Sequence, residues 1–266
     1  EPSGGQIYSY DNHEVTFDAH GTGEYRDLAV HGSMMVDGGY WDMFRCKNVP
    51  AGEVVTLTRV YVPHGVADTE SDMSSSGKIV GGFSDWNVDG GVRLDGCHVE
   101  RGGENTVYVE GANRVEVVDT YVARANVGIR IPGGPADDPS LVDGLVMDQR
   151  YEVARQHWNG DSNARGLWND TGSDGSFVLR NSDFDLRGPE GGVPVDIDGS
   201  NDWTIENCRF AEGSWAALNL QSGRADVRNC DFTSGSGAVA TAAGGSVADS
   251  RAPSGSGSFS GFDSVS

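Results

Sequence analysis

The chain has 266 residues, a length that fits one large all-β domain or two small ones. Its 19 basic and 40 acidic side chains give a formal net charge of −21, which opposes contact with a phosphate backbone and predicts that nucleic acid is not a partner. Only 37% of the residues are hydrophobic, and no apolar run approaches the roughly 20 residues that a bilayer requires, so no membrane span is predicted.

The first part of the chain is less regular than the rest. Met35, Trp41, Met43 and Phe44 are apolar residues suited to covering an open sheet edge. We therefore expect residues 1–50 to form an N-terminal cap or attachment segment. The main fold is predicted over residues 51–252, with its first repeat at 54–62 and loops at 63–77 and 133–142.

An internal repeat organises this main region. Its copies span residues 92–99, 115–122, 177–184, 203–210 and 225–232, with a weaker copy at 245–252. Each copy alternates apolar and polar residues as a half-buried strand does. One column breaks the alternation with residue types that tolerate a left-handed backbone, which predicts a one-residue corner at Gly96, Asp119, Asn181, Asn207, Asn229 and Asp249. The small residue after each corner is expected to point inward and stack, with Cys208 and Cys230 as neighbouring thiols.

A second strand follows most copies about ten residues later, at 107–110, 129–132, 195–198 and 218–221. The longer gap between Thr120 and Ser182 predicts one irregular repeat, with strands near 144–151 and 166–170. Residues 253–266 are rich in Ser and Gly and are expected to form a C-terminal cap or a tail.

The Asn-Cys-x-Phe corners at 207–210 and 229–232, 22 residues apart, resemble the repeats of pectate-lyase-like proteins. The resemblance covers roughly residues 79–250 and implies an all-β fold, a single-stranded right-handed parallel β-helix. The composition, rich in Asp and with Lys47 and Lys78 as its only lysines, is similar to that of proteins from haloarchaea and their viruses. Molar salt shortens the Debye length to about 3 Å, which would allow so acidic a surface.

Outward positions of the second strands carry a ring, a cation, carboxylates and amides. This mixture suits a glycan, because rings stack on sugar C–H faces while polar groups bind hydroxyls. The predicted ligand-binding residues are Tyr108, Glu110, Arg130, Trp168, Asn219 and Gln221.

Asp196 and Asp198 lie two apart on a strand, so their side chains share a face at roughly 7 Å. Such a pair could serve glycoside cleavage, with Arg130 as a third catalytic candidate. With Asp170 one repeat away, the same carboxylates could instead bind Ca²⁺, although no cofactor is predicted to be required. A plain solvated acidic face is the third reading, because the chain contains 27 Asp.

The motif set of polygalacturonase-like enzymes is incomplete here, since Asn-Thr-Asp is missing and Arg130-Ile131-Pro132 ends in Pro. The sequence therefore favours a non-catalytic surface module, such as part of a virion spike, turret, fibre or adhesin. Its expected partners are a glycan or cell-surface polysaccharide and neighbouring subunits, in a homo-oligomer or larger virion assembly. The alternative is a secreted polysaccharide lyase or glycoside hydrolase that uses the face of Arg130, Asp170, Asp196 and Asp198. Either function predicts an extracellular, cell-surface or virion location.

Overall fold

The computed structural model describes residues 6–8, 17–32, 41–65, 79–150, 165–169, 175–188, 192–197, 199, 201–211, 216–220, 222–233, 240–252 and 259–266. These residues form an all-β structure of parallel strands. No helix among them is long and apolar enough to cross a membrane.

The strands pair in three parallel ladders. Ladder one is a ten-stranded sheet made of β3 (Glu24–Arg26), β6 (Val54–Thr58), β9 (Gly91–Asp95), β11 (Arg114–Val118), β13 (Ser140–Asp143), β16 (Gly175–Arg180), β19 (Asn201–Glu206), β22 (Arg224–Arg228), β25 (Gly245–Ala248) and β27 (Ser264–Val265).

Ladders two and three are joined by two long strands, β10 (His98–Tyr108) and β12 (Tyr121–Arg130), which contribute to both. Ladder two also contains β1 (Gln6–Tyr8), β4 (Ala29–His31), β7 (Tyr61–Val62), β14 (Val146–Asp148), β17 (Asp183–Asp185), β20 (Arg209–Ala211) and β23 (Asp231–Phe232). Ladder three also contains β2 (Phe17–His20), β5 (Trp41–Lys47), β8 (Ile79–Trp86), β15 (Arg165–Asn169), β18 (Val193–Ile197), β21 (Leu218–Leu220), β24 (Ala240–Thr241) and β26 (Phe259–Ser260).

The chain visits the ladders in turn, so each strand pairs with the strand one repeat later. Phe177 pairs with Trp203 and Trp203 with Ala225, for example. This stacking of repeats is compatible with a β-solenoid. The irregular repeat predicted between Thr120 and Ser182 is confirmed, with β14 and β15 close to the predicted strands. The loop predicted at 133–142 is shorter than expected, because β13 begins at Ser140.

The parallel pairing begins before the predicted start of the main fold. Phe17 pairs with Phe44, and Glu24 pairs with Thr56, within the same ladders that continue through the repeat region. At the other end, Val265 pairs with Val247 in ladder one. Neither residue 51 nor residue 252 therefore marks a change in how the described strands pair.

The corner between ladders one and two is the predicted column. All six predicted corner residues have positive φ, from 45° at Asp119 to 63° at Gly96. Asp27, Arg59 and Gly144 occupy the same corner with positive φ and were not predicted. The amides of three consecutive corners also join, because Asn229 Nδ2 donates to Asn207 Oδ1 at 2.8 Å and Asn207 Nδ2 donates to Asn181 Oδ1 at 3.3 Å.

The small residue after each corner completes the turn. Thr120 Oγ1 donates to the carbonyl of Val118 at 2.9 Å, and Ser182 Oγ donates to the carbonyl of Arg180 at 2.7 Å. Cys208 Sγ lies 3.2 Å from the carbonyl of Glu206 in the same arrangement. All four cysteines are buried and free, and Cys208 and Cys230 are neighbours in successive repeats, as predicted.

The core is a continuous apolar interior enclosed by the three ladders. Its clearest feature is a row of stacked rings, here called the phenylalanine row: Phe184, Phe210 and Phe232, with centroids 5.4 and 5.2 Å apart. All three rings are fully buried, as are Ile205 and Val227. The predicted inward register of the repeat is therefore confirmed.

Candidate functional site

The predicted binding face forms one row across five strands of ladder three. Tyr108 pairs with Arg130, Arg130 with Trp168, Trp168 with Asp196, and Asp196 with Asn219. We call these five residues the closed row. Sequence alternation identified its members and their order correctly, because residues at equivalent positions of stacked parallel strands become neighbours.

The expectation that this row is open to solvent is wrong for three of its members. Tyr108 is 1% exposed, Asp196 6% and Arg130 8%. Arg130 lies along the row with its guanidinium carbon 4.7 Å from the centre of the Tyr108 ring and 4.6 Å from that of Trp168. Its Nη2 lies 3.8 Å from a carboxylate oxygen of Glu110. The predicted cation and aromatic residues contact each other, so little of the Tyr108 surface is left for a sugar.

Two side chains cover Asp196 and bind its carboxylate oxygens. Arg165 Nε donates to its Oδ2 at 2.6 Å, and Asn219 Nδ2 donates to its Oδ1 at 2.7 Å. The Arg165 guanidinium also covers the Trp168 ring, with its carbon 4.5 Å from the ring centre. Both oxygens of this carboxylate are therefore engaged within the protein.

The same contacts do not suit Ca²⁺, which takes free carboxylate and carbonyl oxygens and would be repelled by Arg165. The other two predicted metal ligands, Asp170 and Asp198, lie outside the described residues, as does the predicted ligand residue Gln221. Within the described ranges, no group of three or more His, Cys, Asp or Glu side chains could hold a metal ion.

A second row, on ladder two, was not predicted. Tyr61, His98 and Tyr121 are paired neighbours with ring centroids 4.7 and 4.6 Å apart, and we call them the aromatic row. Tyr61 is 40% exposed, and the next residue in line, Val146, is 42% exposed. The sequence carries this signal as a ring two residues after each of three successive corners, whereas all of the predicted outward residues lie on the second strands.

Acidic and guanidinium groups border the aromatic row. His98 Nε2 lies 2.9 Å from Glu100 Oε1, and the Tyr121 hydroxyl lies 3.4 Å from Asp148 Oδ2. Arg150 donates to both oxygens of Asp148, at 2.9 and 2.7 Å, and these hydrogen bonds lower the pKa of that carboxyl. Burial, followed by the Asp148 charge, raises the pKa of Tyr121, so the phenol stays protonated.

A groove of about 350 Å³ lies on ladder one. Its floor contains three outward residues of successive strands, Val178, Thr204 and Asp226, next to the paired Asp202 and Arg224. The loop before β13 forms one wall and contributes Pro139.

That wall is held in place from both sides. Gly134 and Ser176 exchange two backbone hydrogen bonds at 3.1 and 2.8 Å. Arg114 Nε donates to the carbonyl of Pro139 at 3.0 Å and lies 2.9 Å from Asp138. The groove is therefore a preformed feature rather than a gap beside a loosely attached loop.

Comparison of the chain with models of known protein families, with curated proteins and with solved structures gives no match.

Proposed function

We propose that the chain is a non-catalytic module of an extracellular, cell-surface or virion assembly, built as a right-handed single-stranded β-helix that contacts glycan or neighbouring subunits in high salt. The observation that carries this proposal is the burial of Arg130 and Asp196, the two members of the predicted catalytic face that lie within the described residues. Asp196 is covered by Arg165 and Asn219, which bind its two oxygens. A carboxylate that acts on a substrate must be able to reach it, and this one is covered by its neighbours.

Two features support a binding role. The groove on ladder one offers about 350 Å³ with carboxylates, hydroxyls and an Arg at its surface, a size within the range of ligand sites. The aromatic row and Val146 place ring edges and an exposed aliphatic side chain on an otherwise strongly acidic protein. The net charge of −21 supports a salt-rich medium, in which the repulsion between the acidic side chains is screened.

The test has two readouts on one preparation in about 3 M salt. A glycan array identifies the sugars that bind, and prolonged incubation with those sugars is followed by assays for new reducing ends and for unsaturated products. The proposal expects binding without products. Turnover that is lost in Asp196→Asn would overturn it in favour of the lyase or hydrolase. Failure to bind any sugar would overturn the glycan part and leave contact with neighbouring subunits as the role.

A further inference from the structure

We propose that the groove on ladder one is a saccharide-binding site selective for neutral over acidic oligosaccharides. This inference rests on the proposed glycan-binding function and adds a location and a ligand class to it. The closed row, from which that function was first inferred, plays no part in it.

The groove carries both kinds of contact that a sugar needs. Val178 on the floor and Pro139 on the wall offer apolar surface to sugar C–H groups, while Thr204 and Ser176 offer hydroxyls. Asp202 and Asp226 project from successive strands onto the same surface. A carboxylate can accept two sugar hydroxyls, and these charge-assisted bonds are the strong ones in such a site.

The two carboxylates differ in how they are engaged. Ser246 Oγ donates to Asp226 Oδ1 at 2.6 Å, which leaves its second oxygen for a ligand. Asp202 is exposed and makes no side-chain hydrogen bond or ion pair with any other described residue. Asp202 is thus the residue whose acceptor capacity is most fully available.

The groove offers acceptors where an acidic ligand would need donors. Arg224 is its cation, and Arg224 Nη2 already bonds Asp263 Oδ2 at 2.9 Å. The remaining charged groups are the carboxylates of Asp202 and Asp226, which accept hydrogen bonds and cannot donate them to a uronate or a sulfate. A neutral sugar, whose hydroxyls can donate to both groups, meets no such mismatch, and this difference does not depend on a repulsion that salt would screen.

The structure offers closely matched variants. Thr204→Tyr fills the groove, and its control is Thr56→Tyr, because Thr56 occupies the same outward column of ladder one away from the groove. Asp202→Asn removes one charge from the groove. Its control is Asp231→Asn, which removes one exposed charge from ladder two.

The experiment is titration calorimetry in about 3 M salt with the neutral oligosaccharide that binds best on the array and with oligogalacturonate of equal length. We expect the neutral sugar to bind more tightly. Thr204→Tyr and Asp202→Asn should each weaken it about 10-fold or more, and the two controls should stay within about 2-fold of wild type. Thermal unfolding of each variant checks the fold, and Asp202→Asn, at an exposed position, decides the matter if Thr204→Tyr does not fold.

Three results would overturn the proposal, and they are distinguishable. Binding that both groove variants leave unchanged would move the site elsewhere and leave the proposed function standing. Preference for oligogalacturonate would overturn the ligand class. Absence of binding to any sugar by the wild-type protein would remove the glycan function and this site together.

Discussion

The phenylalanine row and the aromatic row are built alike and placed differently. In each, successive repeats contribute one ring to a stack with centroids about 5 Å apart, a spacing set by the parallel strands. The first row is fully buried, whereas the second lies on the outer surface of ladder two. Ring stacking therefore follows from the repeat itself, and burial decides how much a stack adds to stability.

Removing the middle ring of each row tests whether burial or stacking is the source of stability. Phe210→Ala should lower the free energy of unfolding by about 3–5 kcal/mol, because a large buried ring is lost and a cavity remains. His98→Ala removes an equivalent ring at the surface and should cost about 1 kcal/mol or less. Denaturant unfolding in about 3 M salt measures both. Equal losses would mean that stacking, not burial, stabilises the rows.

Salt concentration tests the outer surfaces without a substitution. With a net charge of −21, repulsion between the outward carboxylates should destabilise the fold as salt falls. We expect the melting temperature to fall by about 5–10 °C, corresponding to about 2–3 kcal/mol, mostly below about 1 M. The deficit of Phe210→Ala should persist at every salt concentration. A flat melting profile from about 0.1 to 3 M would contradict the halophilic interpretation.

The left-handed corner between ladders one and two precedes the rings of both rows, and Asn207 tests how much its backbone conformation contributes to stability. Its φ of 56° is strained for Ala, so Asn207→Ala should lower stability by about 1–2 kcal/mol. Asn207→Gly loses the same amide hydrogen bonds but adopts this φ freely, and it should recover most of the loss. Thermal unfolding compares the two. Identical losses would show that the amide ladder, rather than the backbone conformation, is the stabilising element.

The smallest expected effect concerns acid at the border of the aromatic row. The pKa of Asp148 is lowered because Arg150 donates hydrogen bonds to the ionised form. Folding therefore favours the ionised carboxylate, so its contribution is complete above the ordinary pKa of about 3.9 and is lost as the pH falls through the lower folded value. Asp148→Asn should be less stable than wild type by about 0.5–1 kcal/mol at pH 7. The difference in melting temperature should vanish near pH 2, and one that is independent of pH would contradict this assignment.

Much of the fold was predictable because it depends on local chemistry. Asn, Asp and Gly at one recurring position indicated the left-handed corner, and all six predicted corners have positive φ. Arg59 was not predicted as a corner because Arg has no preference for the left-handed conformation. In the structure its guanidinium bonds Asp27, the corner of the previous repeat, at 2.7 and 2.9 Å.

The sequence predicted the order of the residues in the closed row but not how far each of them is exposed to solvent. Alternation assigns a face to each residue and says nothing of what lies over that face. Arg130 reaches Trp168 from the previous repeat. Arg165 precedes Trp168 on the same strand and also reaches Asp196 in the next repeat, so it covers both side chains. The groove depends on a loop wall between repeats, so no periodic signal marks it.

The four buried thiols can report where and in what order the repeats of this fold open. Burial raises the pKa of Cys97 to about 11 and that of Cys46 further, so neither reacts as a thiolate while its repeat is closed. Cys46, Cys97, Cys208 and Cys230 belong to different repeats along the stack. In a fold whose repeats contact mainly their neighbours, opening can spread from one position along the axis. The order in which the four thiols become alkylated during a brief pulse would record where that opening begins and which way it travels.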